Sequence, residues 1–465
     1  MDLIGAALRA AAGRPHVLLA PLPGGTVARL EAERVLRLRD WPLVATPAQA
    51  DLLLIAGPDC PDLRGAVNRL WQDLPAPRVR VHARGAGGVE SALESGQARL
   101  GSRAARRPRA ETSDGDGGSH LQESCGGEDR GRRPEDSGGS HDEHDDGDGG
   151  RHHDAQARHG DDRADPQGEH HGARDGGNEG GHGRGHPGHE RHGGHGGAMD
   201  VPGGLPMAEQ GGDRDGLMLD RLHVPLGPLL ADWPAGLAVR VTLQGDVVQE
   251  AEVEEPLRRD TAVAEAFWAQ PWLCAAAGEP VSVGAAARRR AAAHLDSLAR
   301  LLSVAGWPAE AIVARRLRDD LLGGAPVVAV ASRLERFARR VGRSRTLAWM
   351  TRGIGRVSAE AAREAGVSGP AARAGGDVTG RYRQWLADVR RDVGRMEEPS
   401  PIRLAVDESP RGWWRNDDPP SAALIALLPA LLNGAELAAA RLVVASLDPD
   451  LDELAAARDR AGNHD

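Results

Sequence analysis

The stretch Ala45-Thr46-Pro47-Ala48-Gln49-Ala50-Asp51-Leu52-Leu53-Leu54-Ile55-Ala56-Gly57 sets a polar, proline-containing lead against an unbroken apolar run that ends on glycine. The run Leu52 to Ala56 is of strand length, and continuous rather than alternating, as a parallel strand buried on both faces requires. A second run, His16 to Ala20, stands on the amino-terminal side, and Pro77 to Val81 supplies a third. Between the last two, Leu63, Val67, Leu70 and Trp71 recur at helical spacing after Pro61, which suits a first helical turn. Strand, helix, strand is a crossover. It predicts a small three-layer α/β domain whose functional loops lie at the carboxyl ends of its strands.

The chain resumes this kind of order near Leu217. Leu237, Val239, Val241 and Leu243 alternate with other residues, Gly245-Asp246 supplies a turn, and Val247 to Val253 returns, which is the pattern of a β-hairpin. Helical stripes follow. Ala291, Leu295, Leu298, Leu302 and Ala305 form one, stopped by Gly306 and Pro308. Val327, Val330, Ala331, Leu334, Phe337, Ala338 and Val341 form a second, and Tyr382, Trp385, Leu386, Val389, Val393 and Met396 a third. At about 1.5 to 3 kcal/mol per fully buried large side chain, such stripes pack on one another rather than face water.

From Gly101 to Gly216, Gly, Asp, Glu, Arg and His dominate and large apolar side chains nearly vanish. Burial there cannot offset ordering costs of roughly 1 to 2 kcal/mol per residue, so a disordered linker is expected. The expected organisation is therefore residues 1–100, a linker over 101–216, and a second domain over 217–465. Within the linker, His182, His186, His189, His192 and His195 offer several imidazoles to Ni or Zn. A solvated spacer is the alternative.

A net charge of -10 argues against a general nucleic-acid binder, which needs a cationic field to displace phosphate counterions. Cys60, Cys125 and Cys274 are far apart and form no CxxC pair, so neither a disulfide framework nor a thiolate metal site is suggested and the compartment reads as cytoplasmic. The longest apolar run, Ala422 to Leu432, contains Pro429 and is far shorter than the ~20 residues that span a bilayer. Membrane association would then come through partner subunits, at the inner face of the cell membrane.

The stretch from Ala45 to Gly57 resembles the central motif shared by the hydrogenase small subunit and its counterpart in NADH-quinone oxidoreductase (complex I), Ser-Pro-Arg-x-Ala-Asp followed by an apolar strand and Gly. Ala66-Val67-Asn68-Arg69-Leu70-Trp71 and Leu74-Pro75-Ala76-Pro77-Arg78-Val79 resemble that family's next helix and the lead into its third strand. In the second domain, Arg290 and His294-Leu295 have the spacing of the Arg-Ile-x-Ser-His-Leu helix of the hydrogenase large subunit and its complex I counterpart. In the same order come a loop at Gly366 to Gly375, a Glu408-Ser409-Pro410-Arg411-Gly412 turn and a terminal Ser446-Leu447-Asp448-Pro449, each similar to a motif of that family. The implied fold is a small α/β domain with a parallel, flavodoxin-like sheet, joined to an α+β domain dominated by a helix bundle with an amino-terminal β-hairpin.

What the resemblance implies for function is altered by departures from it. The first strand-end loop, Pro21-Leu22-Pro23-Gly24-Gly25-Thr26, and the third, His82-Ala83-Arg84-Gly85, carry no cysteine for an iron-sulfur cluster. The two CxxC pairs of a nickel-iron site are absent, and Asp450-Leu451-Asp452 stands where the terminal one would fall. The Gly-Pro-Gln-His signature of the quinone branch reads Gly227-Pro228-Leu229-Leu230 here, with His223 four residues upstream. The expectation is a fused, structural subunit of a complex I-like or hydrogenase-related respiratory assembly, with other subunits of that complex as partners. One alternative is a quinone-binding subunit served by a cluster on a partner chain; another is a Ni- or Zn-binding accessory protein. Arg373, Asp448, His223 and Arg411 are the candidate residues for the cleft between the domains.

Overall fold

The computed structural model describes residues 13–102, 209–212, 218–254, 266–414 and 418–462. The linker expected over 101–216, with its histidines, lies almost wholly outside them.

The amino-terminal part is β1 (Val17–Pro21), α1 (Thr26–Leu38), β2 (Leu43–Val44), β3 (Leu52–Ala56), α2 (Arg64–Asp73), β4 (Val79–Ala83) and α3 (Val89–Gly101). Its strands form one parallel sheet in the order β2-β1-β3-β4. All five residues of β3 are buried because alternate side chains enter different layers. Leu52 and Leu54 pack with α1 and α3 through Ala32, Val35 and Leu93. Leu53 and Ile55 pack on the other face with Leu63 and Val67. Leu229, from the second part of the chain, joins that second layer.

The second part opens with an antiparallel sheet, β5 (Glu209–Gly212), β6 (Met218–Leu226), β7 (Val239–Gln244) and β8 (Val247–Val253), in sequence order. The expected hairpin is β7–β8, with Leu243 facing Val248 across a bulge at Thr242/Leu243. Two further strands extend it. They carry no readable pattern, since β6 is exposed along most of its length and β5 is Glu-Gln-Gly-Gly.

The long helices are α4 (Val283–Val304), α5 (Pro308–Leu322), α6 (Val327–Gly342), α7 (Val378–Val393), α8 (Leu437–Leu447) and α9 (Leu451–Gly462). Ser282 caps α4, its Oγ accepting the Ala285 amide at 3.1 Å, and Gly306 at φ +76° ends the turn that leads to Pro308. Leu295, Leu298 and Leu302 of α4, Leu334 and Phe337 of α6, and Tyr382, Trp385 and Val389 of α7 meet in one core. A second core joins the antiparallel sheet to α8. The described residues before 103 and after 208 belong to one compact unit. Among the described residues, no helix is long and apolar enough to cross a membrane.

Candidate functional site

Helix α1 presents Arg29, Glu33 and Arg37 on one face, one helical turn apart, and that face meets α4 and α5. Arg29 Nη2 donates to Asp296 Oδ2 at 2.8 Å and Arg29 Nη1 to Glu33 Oε1 at 2.7 Å. Arg318 Nη1, fully buried, donates to Glu33 Oε2 at 2.7 Å and to Asp296 Oδ1 at 2.6 Å. Arg37 pairs with Asp319 at the end of the same row. Burial alone would raise the Glu33 carboxyl, but Arg318, Arg29 and Arg315 outweigh it and hold the group down at about 2. Asp296 is likewise driven well below the carboxylate range against its own burial by Arg29, Arg300 and Arg318. The result is a lattice, ionised at neutral pH, across the joint between the α/β and helical parts.

The lattice continues inward. Arg300 Nη2 donates to Asp296 at 3.0 Å and its Nη1 lies 2.9 Å from Asp448 Oδ1. Asp448 follows α8 with φ +46°, a left-handed position that Asp tolerates better than most residues. There its carboxylate accepts from Ser297 Oγ at 2.5 Å and from Arg411 Nη2 at 2.6 Å, while Arg411 Nε donates to the Asp448 carbonyl at 2.7 Å. Further along, Asp452 accepts the Gly24 amide at 2.7 Å and the Thr26 hydroxyl at 3.1 Å. The first strand-end loop is thus a docking point for the carboxyl-terminal segment. Gly25 sits where this loop touches the end of β3: a Cβ there would fall 2.2 Å from the Ala56 carbonyl oxygen.

Beside this joint lies a cleft of about 470 Å³, whose lining includes the apolar side chains of Trp41, Leu230, Trp233, Trp268, Ile312 and Leu451 and the charged groups of Arg300, Arg411 and Asp450. Asp232 at the rim holds Arg315 at 2.8 Å and the Ser303 hydroxyl at 2.5 Å.

The candidate residues read from the sequence are distributed unevenly around this arrangement. Asp448 and Arg411 are brought together and connect through Arg300 to the joint. Arg373, half-buried, pairs with Asp388 at 2.8 Å and with Glu408. His223 is exposed on β6, with Nδ1 3.1 Å from the Thr242 hydroxyl. His182, His186, His189, His192 and His195 lie outside the described residues. His294, of the helix motif, is wholly buried, with Nε2 3.1 Å from the Pro410 carbonyl oxygen. Burial pushes it down to about 4, so it is neutral near neutral pH.

Cys60 is buried in the apolar layer that holds Leu63 and Val67. Among the described residues, no group of three or more His, Cys, Asp or Glu is arranged to hold a metal ion.

Sequence reasoning missed Arg29, Glu33, Asp296 and Arg318. Arg29 and Glu33, spaced i,i+4, look like an ordinary solvated pair. Asp296 carried a usable signal: it stands between Leu295 and Leu298 of the apolar stripe on its helix, where a charge that is buried needs a partner.

No family model and no curated protein matches the chain. Among solved structures it is similar, at 15% identity and a TM-score of 0.36, to a chain of the membrane-bound sulfane sulfur reductase, an archaeal respiratory membrane complex. The match covers 50% of this chain and 98% of that one.

Proposed function

We propose that this chain is a fused structural subunit of a membrane-associated respiratory assembly of the complex I and hydrogenase kind. It would hold an α/β module and a helical module as one block for partner subunits at the inner face of the membrane. The observation that carries this reading is the buried lattice of Arg29, Glu33, Asp296 and Arg318, which ties the part with the small-subunit-like motif to the part with the large-subunit-like one. Loops that carry cluster ligands in the family here serve docking, as Gly24 and Thr26 do toward Asp452. Native electrophoresis of detergent-solubilised membranes tests it. The chain should run in a complex several times its own mass, together with membrane-embedded subunits; migration only as a free chain in the soluble fraction would defeat the proposal.

A second reading is favoured by the cleft itself: Trp41, Leu230, Trp233 and Trp268 in its lining suit a flat apolar ring, and this reading takes a quinone as the occupant, reduced from a cluster on a partner chain. Saturable quenching of tryptophan fluorescence by a short-chain quinone, lost in Trp233→Leu, is the expected result. Absence of saturable quenching rejects it.

A further inference from the structure

Two carboxyl groups have no cation in hydrogen-bond reach: Asp450, which lines the cleft, and Glu453, buried behind it in the next helical turn. The buried charges of the joint otherwise pair off, with Arg29 and Arg318 serving Glu33 and Asp296, and Arg300 and Arg411 serving Asp448. Glu453, wholly buried, accepts only from Ser421, through the hydroxyl at 2.6 Å and the amide at 3.3 Å, and its Oε1 has no hydrogen-bond partner. Asp450 accepts the Asp452 amide on Oδ1 at 3.0 Å, and its Oδ2 is shut off from solvent without a partner. The Asp450 amide in turn donates to the Ser421 hydroxyl at 2.9 Å, so one serine links both residues. A carboxyl removed from water with no cation in hydrogen-bond reach keeps its proton.

These two residues stand where the joint is tied. Asp452, whose amide holds Asp450, is the residue that receives the Gly24 amide and the Thr26 hydroxyl from the α/β loop. Asp450 also lines the cleft, which gives its proton a way out.

We propose that Asp450 and Glu453 form a proton-holding pair that keeps the carboxyl-terminal segment locked onto the α/β loop while protonated, and loosens it on ionising. This holds whatever assembly the chain belongs to. The groups facing the pair explain the direction. Arg411 comes from the 408–412 turn but is committed to Asp448; Asp448 itself ends α8 and Asp452 begins α9, both negative. From α4, Arg300 and Asp296 reach the pair only through Asp448, and the α/β loop contributes uncharged donors. Loss of the protons to solvent therefore adds negative charge beside Asp448 and Asp452, while the facing cation, Arg411, already serves Asp448 through Nε and Nη2 and keeps only Nη1 without a partner. Burial first, and then Asp452, push Asp450 up to about 7; burial first, and then Asp450, push Glu453 up to about 8. Both folded values are raised, so the stabilisation is complete below the ordinary carboxylate range and is lost as pH rises through about 7 to 8.

The test uses the full-length chain. Hydrogen exchange of the peptide spanning Leu22 to Thr26, corrected for the intrinsic pH dependence, should quicken by about tenfold or more between about pH 6 and about pH 9 in the wild type. In Asp450→Asn with Glu453→Gln, neutral isosteres of the protonated pair, it should stay level. A flat wild-type profile, or the same rise in the double variant, overturns the proposal. A second measurement needs no variant: the infrared band of protonated carboxyl groups should persist at about pH 6 and bleach by about pH 9. A spectrum with no such band at the lower pH also overturns it.

Discussion

Arg318 Nη1 lies 2.7 Å from Glu33 Oε2, a contact across 285 residues of sequence in which the guanidinium is wholly out of solvent. Because Asp296 shares the same nitrogen at 2.6 Å, removing Arg318 takes a buried cation from two carboxylates at once and leaves Glu33 to Arg29 and Arg315, and Asp296 to Arg29 and Arg300. Arg318→Ala should therefore destabilise the chain by about 3 to 5 kcal/mol, the usual result of breaking a buried pair from one side. Replacing both partners, Arg318→Met with Glu33→Leu, should recover much of that loss, since apolar groups of similar volume often substitute for buried ion pairs. Urea unfolding of the three proteins decides it. A single variant within about 1 kcal/mol of wild type would mean the joint is not held by these charges.

Acid should open the same joint. Glu33 has a folded value of about 2, lowered by Arg318, Arg29 and Arg315 against its burial. A depressed folded value means that the stabilisation is present above the ordinary carboxylate range and disappears as pH falls through about 2. The thermal midpoint of wild type should drop steeply below about pH 4, and that of the Arg318→Met, Glu33→Leu protein less so. Equal slopes in both would show that other carboxylates govern acid unfolding.

Gly25→Ala should be poorly tolerated although Gly25 has an ordinary negative φ of -92°. The added methyl would meet the Ala56 carbonyl oxygen at 2.2 Å and Gly57 Cα at 2.8 Å, both backbone atoms that cannot swing aside. The loop must lift, at a cost of about 1 to 3 kcal/mol, and the Gly24 amide should lose protection as its bond to Asp452 lengthens. Unchanged stability and unchanged exchange at Gly24 would show that the two strand-end loops are not in close register.

Much of the architecture was legible because burial on both sides writes itself into consecutive residues. Leu52 to Ala56 and the stripe from Val330 to Val341 say what they pack against through their period. β2 has two residues and β6 is mostly exposed, so neither leaves a pattern to read. The candidate site was legible where it sits in a local motif: Arg411 and Asp448 each belong to a short turn signature and lie together at 2.6 Å. Arg29, Glu33 and Arg318 belong to no such motif. Their role arises only when helices distant in sequence meet, and each alone has the spacing of a solvated helix face.

Deletion of 111–202 should leave the thermal transition of the remainder almost unmoved, because Leu121, Met199 and Val201 are the only large apolar side chains it removes. Calorimetry of Ni or Zn binding to both proteins addresses the histidine-rich stretch in the same experiment. Binding lost with the deletion favours a metal-handling role there; binding retained, or absent from both, leaves a spacer. A large fall in stability would show that the segment packs against the compact unit.

The joint should outlive the covalent connection between its two parts. A protease cut between 103 and 208 turns an intramolecular contact into a bimolecular one and removes the high effective concentration that a tether supplies. With Arg29, Arg37 and Arg318 all paired across the joint and Leu229 packed among the residues beneath β3, the nicked halves should still elute together from gel filtration. Arg29→Glu places a third carboxylate between Glu33 and Asp296 in a buried position and should weaken association of the nicked halves by about a hundredfold or more, corresponding to about 3 kcal/mol. Arg390→Glu is the matched control. Arg390 pairs with Glu335 on the exposed surface of the helical part, where an ion pair contributes about 0 to 1 kcal/mol, so its reversal should leave the elution position unchanged. Dissociation of the unmodified nicked protein at micromolar concentration would mean that the chain connection, not the buried lattice, keeps the two parts together, and the structural-subunit proposal would lose the observation it rests on.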